Sequence, residues 1–319
     1  GWESRFGMQL LVDDGAADLD GDGFDNVIEF HALSDPTSPI SVPVPTQWTG
    51  DQGGGWHRGY VPVQIDVNDI QQMWSVDALP DSDEAIKQVT LSRDYVFLTT
   101  QTPNLWYQQA IALNRVDGSM HWQNSFPDVG FLSAPANDDD GVFYASGHHG
   151  NSYAIGIDQD SGAVRFQTPL DVQILNQRSL TVNEDAIFGT NGFYGGIGRI
   201  DKRTGITDWV SHQDFGDNFA PLILGDKIYG YTMDPGKIVE LDLQSGASLR
   251  EIIDEQFVWG SRSTDSSMIK GHGDNILFFY GGAITSIDLF REQTKWRIAL
   301  GNWSQKSIAV GNGQIVYVL

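Results

Sequence analysis

A short acidic segment near the start of the chain has the residue types and spacing that hold a hard cation. Residues 18–29 read DLDGDGFDNVIE. Three aspartates placed two residues apart repel one another in a compact turn unless a cation lies between them. Counted from the first aspartate, oxygen donors fall at positions 1, 3, 5, 7, 9 and 12, and glycine at position 6 permits the sharp turn around the ion. The predicted Ca²⁺ ligands are Asp18, Asp20, Asp22, the Phe24 carbonyl, Asn26 and Glu29.

This segment resembles the calcium loop of an EF-hand. The longer stretch DLDGDGFDNVIEFHALSDPTSP is similar to thrombospondin type 3 and dockerin-like repeats of secreted bacterial proteins, in which an Asp-Pro turn follows the helix, here Asp35-Pro36. The opening GWESRF resembles the end of a preceding repeat, with Glu3 as its last ligand. The resemblance implies that the chain is part of a longer exported polypeptide. The alternative interpretation is a solvated acidic turn.

Composition excludes several classes of function. The 319 residues include 42 acidic and 19 basic side chains, for a net charge of −23, which disfavours binding to nucleic acid or to anionic membranes. The longest apolar runs, such as residues 275–280, are too short to predict a transmembrane segment. The absence of cysteine excludes disulfides, thiolate zinc sites and a cysteine nucleophile. A surface of this charge suits a secreted protein in salty water, and the resemblance to the calcium repeats implies a bacterial protein that is extracellular or at the cell surface.

The rest of the chain contains a repeat. Six copies of a twelve-residue pattern begin at residues 63, 111, 155, 198, 239 and 285, and each has Asp or Asn at its fourth position. The last position is Trp in four copies, Phe in one and Arg in one. The Asp or Asn residues, at 66, 114, 158, 201, 242 and 288, are separated by 41 to 48 residues. Each copy predicts a hairpin whose turn is led and capped by the Asp or Asn and usually contains a glycine with positive φ. The large residue that ends the copy, an aromatic in five of the six, is predicted to pack between sheets.

A second hairpin precedes most copies, so each period predicts a four-stranded blade of a β-propeller. The chain ends with two strands that lack a second hairpin, and the first copy lacks a first hairpin, so these halves complete one blade and close the ring. The sequence therefore predicts an all-β, six-bladed β-propeller, or seven or eight blades if the chain is truncated. The predicted domains are a small EF-hand-like calcium module at 1–40, a Pro-rich linker at 41–47 and the propeller at 48–319.

The stretches ELDLQSG, RIDKRTGITDW and GIDQDSG resemble the core of the pyrroloquinoline-quinone-like (PQQ-like) repeat, and QWTGDQGGGWHRGYVP is similar to the segment that precedes such propellers. The resemblance implies a propeller but leaves its function open. Quinone-dependent dehydrogenases of this family normally have eight blades and a vicinal disulfide against the cofactor, whereas this chain has six copies and no cysteine. The family also includes scaffolds of outer-membrane protein assembly and propellers of secreted surface proteins, and the calcium repeat favours the latter.

No catalytic residue is predicted, because HExxH, GxSxG and GxGxxG motifs are all absent from the sequence. Loops on one predicted face carry aromatic and histidine residues that can stack on sugars or bind a protein. This possible ligand face consists of Trp106, Tyr107, His148, His149, Phe193, Tyr194, Trp259 and Trp303. The alternative interpretation is that these aromatics fill gaps between blades.

The sequence thus favours a non-catalytic, calcium-stabilised module of a larger surface or secreted bacterial protein, with a role in adhesion to a protein or polysaccharide. Two other functions remain open. One is a polysaccharide-active or other propeller enzyme, and the other is a subunit of an extracellular or envelope assembly.

Overall fold

The fold is seen in a computed structural model. It describes residues 6, 12, 14–21, 24–27, 29, 35–39, 48–57, 59, 71–77, 85–101, 108–147, 151–172, 179–192, 195–213, 215, 219–233, 236–257, 268–271, 275–280, 283–300, 308–311 and 315–318. The predicted all-β class is confirmed, since these residues contain β-strands, one 3-10 turn at Asp51–Gly53 and a helical turn that includes Asn26, Val27 and Glu29. No helix in these ranges has the length and apolarity needed to cross a membrane.

The described strands form five four-stranded sheets and one two-stranded sheet, all antiparallel, with neighbouring strands consecutive in sequence. Sheet 1 contains β1 (Ala85–Leu91), β2 (Tyr95–Gln101), β3 (Gln108–Asn114) and β4 (Met120–Phe126). Sheet 2 contains β5 (Ala136–Asn137), β6 (Gly141–Ala145), β7 (Ser152–Asp158) and β8 (Val164–Leu170). Sheet 3 contains β9 (Thr181–Val182), β10 (Ala186–Thr190), β11 (Ile197–Asp201) and β12 (Thr207–Ser211).

The second half of the chain continues this pattern. Sheet 4 contains β13 (Leu222–Leu224), β14 (Lys227–Met233), β15 (Gly236–Asp242) and β16 (Ser248–Ile253). Sheet 5 contains β17 (Ile269–Lys270), β18 (Asn275–Tyr280), β19 (Ala283–Asp288) and β20 (Gln293–Ala299). Sheet 6, as far as the structure describes it, contains β21 (Ile308–Gly311) and β22 (Ile315–Val318).

The repeat predicted from the sequence corresponds to the third and fourth strands of sheets 1–5. In each of these sheets the register between the two strands shifts once, directly before the turn, at Ala112/Leu113, Gly156/Ile157, Arg199/Ile200, Glu240/Leu241 and Ser286/Ile287. A β-bulge bends and twists the strand that carries it. Its recurrence at one position confirms that the copies are structurally equivalent hairpins.

The hydrophobic core lies between successive sheets. One cluster joins Phe97 and Trp122 of sheet 1 to Tyr144 and Ile155 of sheet 2, and comparable clusters join sheets 2 and 3, 3 and 4, 4 and 5, and 5 and 6. The other face of sheet 1 packs against Trp74 from the first copy of the repeat. The middle strands are therefore buried on both faces, which explains why they read as continuous apolar runs.

A glycine-rich segment contacts the first strand of every sheet. This hub segment, residues 48–57 and 59, begins at Trp48, which pairs with Leu91 of β1, and its following residue Thr49 accepts a hydrogen bond from Asn137 of β5. Further along, the segment contacts the four remaining sheets in sequence order. The contacts are Gly55 with Thr181 of β9, Gly55 O with Ile223 N of β13 at 3.3 Å, Trp56 O with Lys270 N of β17 at 3.1 Å, and Gly59 with Ala309 of β21.

Some predicted features fall in residues that the structure does not describe. They are the Pro-rich linker at 41–47 and most of the first copy of the repeat, including residues 60–70. The predicted pairing between the first copy and the final strands therefore remains a prediction.

Candidate functional site

The described residues of the predicted calcium loop include an exposed Asp18, a half-buried Asp20 and the buried Phe24, Asn26 and Glu29. Gly21, with φ of 77°, donates its N–H to Asp18 Oδ1 at 2.8 Å, which closes the first turn of the loop. The chain then enters the helical turn that contains Asn26 and Glu29. The backbone before the loop pairs with this turn, because Asn26 N donates to Ala17 O at 2.7 Å. The predicted ligand Asp22 lies outside the described residues.

Among the described predicted ligands, Asn26 and Glu29 are the two with buried polar side chains; Phe24, predicted to bind through its carbonyl, is also buried. The exposed fractions of Asn26 and Glu29 are 2% and 0%. Asn26 Nδ2 donates to Asp14 O at 2.8 Å, while its Oδ1 has no hydrogen-bond partner. A buried carboxylate and a buried free amide oxygen are both costly in an apolar surrounding, and a hard cation bound to oxygen removes that cost. This donor set fits Ca²⁺, although within the described ranges no three His, Asp or Glu side chains form a group that could hold a metal.

The hub segment contains a buried histidine with polar contacts to two sheets. His57, which has φ of 51°, donates from Nδ1 to the Asp51 carbonyl at 2.7 Å. Its Nε2 lies 3.1 Å from the Pro221 carbonyl oxygen and 3.3 Å from Thr181 Oγ1. These contacts hold the glycine-rich turn against sheets 3 and 4. His57 therefore has a structural role at the centre of the fold.

Successive sheets meet at a repeated contact that we call the joint. The large side chain that ends one copy packs on the turn glycine of the next copy. Trp74, Trp122, Phe166 and Trp209 lie so close to Gly118, Gly162, Gly205 and Gly246 that a Cβ on each glycine would come within 2.5 to 2.7 Å of the ring. These glycines have φ values of 69° to 73°. The aromatic residue therefore packs between sheets, as predicted, and any side chain at the glycine would displace it.

The turn aspartates cap the backbone, which confirms the role predicted for them. Asp201 Oδ1 accepts hydrogen bonds from Thr204 N at 2.7 Å and from Thr204 Oγ1 at 2.8 Å, and these bonds lower the pKa of its carboxyl group. Asp242 has equivalent bonds from Ser245, which lower its pKa in the same way. A carboxylate that accepts several hydrogen bonds is stabilised in its charged form.

The joint between sheets 4 and 5 has a different chemistry. Arg250 occupies the aromatic position, and Glu292, with φ of 55°, occupies the glycine position. Arg250 Nη1 lies 3.1 Å from Glu292 Oε1, and the same guanidinium pairs with the buried carboxylate of Glu240. Burial opposes the charge on Glu240, but hydrogen bonds from Arg250 and Tyr229 outweigh it and lower the Glu240 pKa.

The possible ligand face lies entirely outside the described residues. This holds for Trp106, Tyr107, His148, His149, Phe193, Tyr194, Trp259 and Trp303. Their assignment to one face therefore stays a prediction from the sequence.

Stacked four-stranded meanders with a repeated joint define a β-propeller built from PQQ-like repeats. More particularly, the PQQ_2 family profile, described as outer membrane protein assembly factor BamB, matches residues 149–319. This match spans more than half of the chain, and the chain belongs to this family. No curated protein sequence matches the chain.

Solved structures show the same fold at low sequence identity. BamB from Moraxella catarrhalis is 15% identical with a TM-score of 0.54, over 78% of this chain and 69% of that protein. The quinohemoprotein alcohol dehydrogenase ADHIIG from Pseudomonas putida HK5 is 13% identical with a TM-score of 0.63, over 83% of this chain. The quinohemoprotein alcohol dehydrogenase from Comamonas testosteroni is 13% identical with a TM-score of 0.57, over 89% of this chain. This chain spans only about half of each dehydrogenase, 49% and 52%.

Sequence reasoning missed the hub contacts and the ionic joint. The hub contacts join residues far apart in sequence, such as His57 and Pro221, which are 164 positions apart, and no local pattern marks them. The ionic joint did leave a signal. Two copies depart from the pattern at complementary positions, with Arg250 in place of an aromatic and Glu292 in place of the following glycine.

Proposed function

We propose that this chain is a non-catalytic, calcium-stabilised binding or structural module of a larger exported bacterial protein. Its propeller would bind a protein or a polysaccharide at the cell surface. The family match supports this proposal most directly, because the profile that covers residues 149–319 is described as an assembly factor. Such a name fits a scaffold that acts through contacts with other molecules.

Six blades are the number that the contacts of the hub segment support. The segment contacts the first strand of sheets 1–6, and the sixth sheet has two described strands. Trp74 packs on Gly118 and donates Nε1–H to Arg115 O at 2.8 Å, as Trp122 does to Gln159 O in the next joint. The end of the first copy thus occupies the position of a fourth strand in a blade that precedes sheet 1. The first copy and sheet 6 would together form that blade.

The calcium module would stabilise the region before the propeller. Support comes from the burial of Asn26 and Glu29 and from the unpartnered oxygen of Asn26. A bound Ca²⁺ would neutralise the loop carboxylates and rigidify residues 1–40. Extracellular modules of this kind bind Ca²⁺ with dissociation constants of roughly 10⁻⁴ to 10⁻³ M.

A second candidate is an enzyme of the dehydrogenase or polysaccharide-active type. The TM-score of 0.63 to a quinohemoprotein alcohol dehydrogenase favours the dehydrogenase fold. The sequence disfavours that chemistry, since it contains no cysteine for the disulfide that dehydrogenases of this family normally place against the cofactor. A third candidate is a subunit of an envelope assembly, which the description of the family favours over a polysaccharide partner.

The binding proposal is tested by quantitative binding of the chain to two immobilised panels, purified envelope proteins and bacterial polysaccharides. A triple variant, Trp106→Ala, Trp259→Ala and Trp303→Ala, removes predicted face aromatics. Phe290→Ala is the matched control, because Phe290 is 79% exposed in the turn after β19. We expect the triple variant to lose at least about tenfold in affinity and the control to keep it. Equal binding by all three proteins contradicts the role of this face, and quinone-dependent alcohol oxidation by the wild type contradicts the non-catalytic assignment.

A further inference from the structure

The joints between sheets provide a matched set for comparison. Four have an aromatic ring packed on a turn glycine, and the joint between sheets 4 and 5 has Arg250 and Glu292 at those two positions. The Arg250 side chain replaces the aromatic residue in polar contacts as well. Its Nη1 donates to Leu289 O at 2.7 Å, and Trp122 Nε1 donates to Gln159 O at 2.8 Å. Leu289 and Gln159 each follow the turn aspartate of their own copy.

Neighbouring groups hold Arg250 in this position. Glu240, one strand away, pairs with the guanidinium, and Tyr229 Oη donates to Glu240 Oε2 at 3.1 Å. Lys227 Nζ lies 3.4 Å from the other Glu240 oxygen. The guanidinium is thus fixed within sheet 4 before it meets Glu292 of sheet 5. Among the contacts of Arg250 with described residues, those with Glu292 and with the Leu289 carbonyl reach sheet 5. A separate ion pair joins the same two sheets elsewhere, because Arg297 Nη1 of β20 lies 3.5 Å from Oδ2 of the buried Asp254, directly after β16.

Solvent reaches the charges at this crossing. The side chains of Arg250 and Glu292 are 29% and 54% exposed. Salt screens a pair of exposed charges, whereas the burial of an aromatic ring on a glycine does not weaken when salt is added. The two kinds of joint must therefore respond differently to ionic strength.

We propose that Arg250 and Glu292 form an ionic joint that makes the contact between sheets 4 and 5 sensitive to salt, unlike the aromatic joints. At low ionic strength the pair holds the turn of sheet 5 against sheet 4. At high ionic strength this turn opens more often than the equivalent turns. The apolar core between the two sheets stays packed, so the opening is local to residues 288–293.

Amide hydrogen exchange of the wild-type chain at about 50 mM and about 1 M NaCl tests the proposal. The reporter is the amide of Arg291, which donates to Asp288 Oδ1 at 2.9 Å. The control is the amide of Ser161, which donates to Asp158 Oδ1 at the same distance in the aromatic joint of sheet 2. Each of these aspartates also pairs with an arginine, Arg291 or Arg165, so salt weakens that local ion pair in both turns.

We expect exchange at Arg291 to rise by about two- to fivefold in high salt relative to Ser161, the range that loss of one exposed ion pair produces. Glu292→Gln should abolish this difference. Glu251→Gln removes the same charge from the Lys237–Glu251 pair within sheet 4, at 2.8 Å, and should preserve the difference. An equal salt response at Arg291 and Ser161 in the wild type overturns the proposal. A difference in salt response between Arg291 and Ser161 that survives in Glu292→Gln overturns it as well.

Discussion

The stacked sheets and the calcium loop are stabilised in opposite ways. Sheets 1–5 bury apolar side chains on both faces, and the aromatic joint recurs as far as sheet 4. The loop buries polar side chains, Asn26 and Glu29, within a short segment rich in carboxylates. The first region spreads its stabilisation over many similar contacts, whereas the second would depend on a single cation under the calcium proposal. Removing one group should therefore have a graded effect in the propeller and an all-or-none effect in the loop.

The largest effect is expected for Trp122→Ala. Trp122 packs in the core between sheets 1 and 2, and its truncation leaves a cavity and removes the hydrogen bond to Gln159 O. We expect the free energy of unfolding to fall by about 3 to 5 kcal/mol in urea titrations. Met120→Ala, half-exposed on the same strand, is the control and should cost less than about 1 kcal/mol. If the loss depends on Ca²⁺, the two regions are not stabilised independently.

Glu29→Gln tests the loop side of the comparison. The substitution keeps the shape of the buried side chain but removes the charge that is predicted to bind the ion. At a Ca²⁺ concentration of 100 times the dissociation constant, binding stabilises a folded module by about 2.7 kcal/mol, and the variant should lose this stabilisation. The stabilisation by Ca²⁺ is followed by limited proteolysis of residues 1–40, once with Ca²⁺ and once with chelator. Asp25→Asn removes one charge at a position that is not a predicted ligand and should keep the response. A wild-type digestion pattern that is identical with and without chelator contradicts the calcium site.

A pair of glycine variants separates the joint from the conformation of its turn. Gly246 and Gly225 both have positive φ, at 69° and 60°. A Cβ on Gly246 would lie 2.6 Å from the Trp209 ring, and a Cβ on Gly225 would meet nothing within 4 Å. Both alanine variants incur the cost of the left-handed conformation, about 1 to 2 kcal/mol. Gly246→Ala should be less stable than Gly225→Ala by about a further 2 kcal/mol in the same urea titration. Equal losses would mean that the ring moves aside freely.

The sequence predicted the features that repeat and missed those that occur once. The Asp or Asn turn recurs in all six copies at blade-sized spacing, the aromatic in five and the turn glycine in four. A single sequence therefore contains several independent examples of the same contact. The hub segment has no second copy, and its contacts with sheets 3 and 4 through His57 depend on the closure of the whole chain. The Arg250–Glu292 contact crosses 42 positions and involves two residues that each break the pattern. The periodicity of the repeat does not predict that two residues that each break the pattern will contact each other across the chain.

The smallest effect concerns the turn aspartates at acidic pH. Hydrogen bonds from Thr204 lower the pKa of Asp201 in the folded protein. The charged carboxylate therefore stabilises the turn fully at a pH above the pKa of an aspartate in the unfolded chain, about 4. This stabilisation is lost as the pH falls through the lower, folded-state pKa. The first described copy has Asn114 at the equivalent position, which cannot titrate. Asp201→Asn should therefore lower the melting temperature slightly at pH 7, and its difference from the wild type should shrink towards pH 3. The reciprocal Asn114→Asp variant should make the melting temperature more sensitive to acid. If instead the difference in melting temperature between Asp201→Asn and the wild type grows on acidification, the turn carboxylates do not stabilise the blades in their charged form.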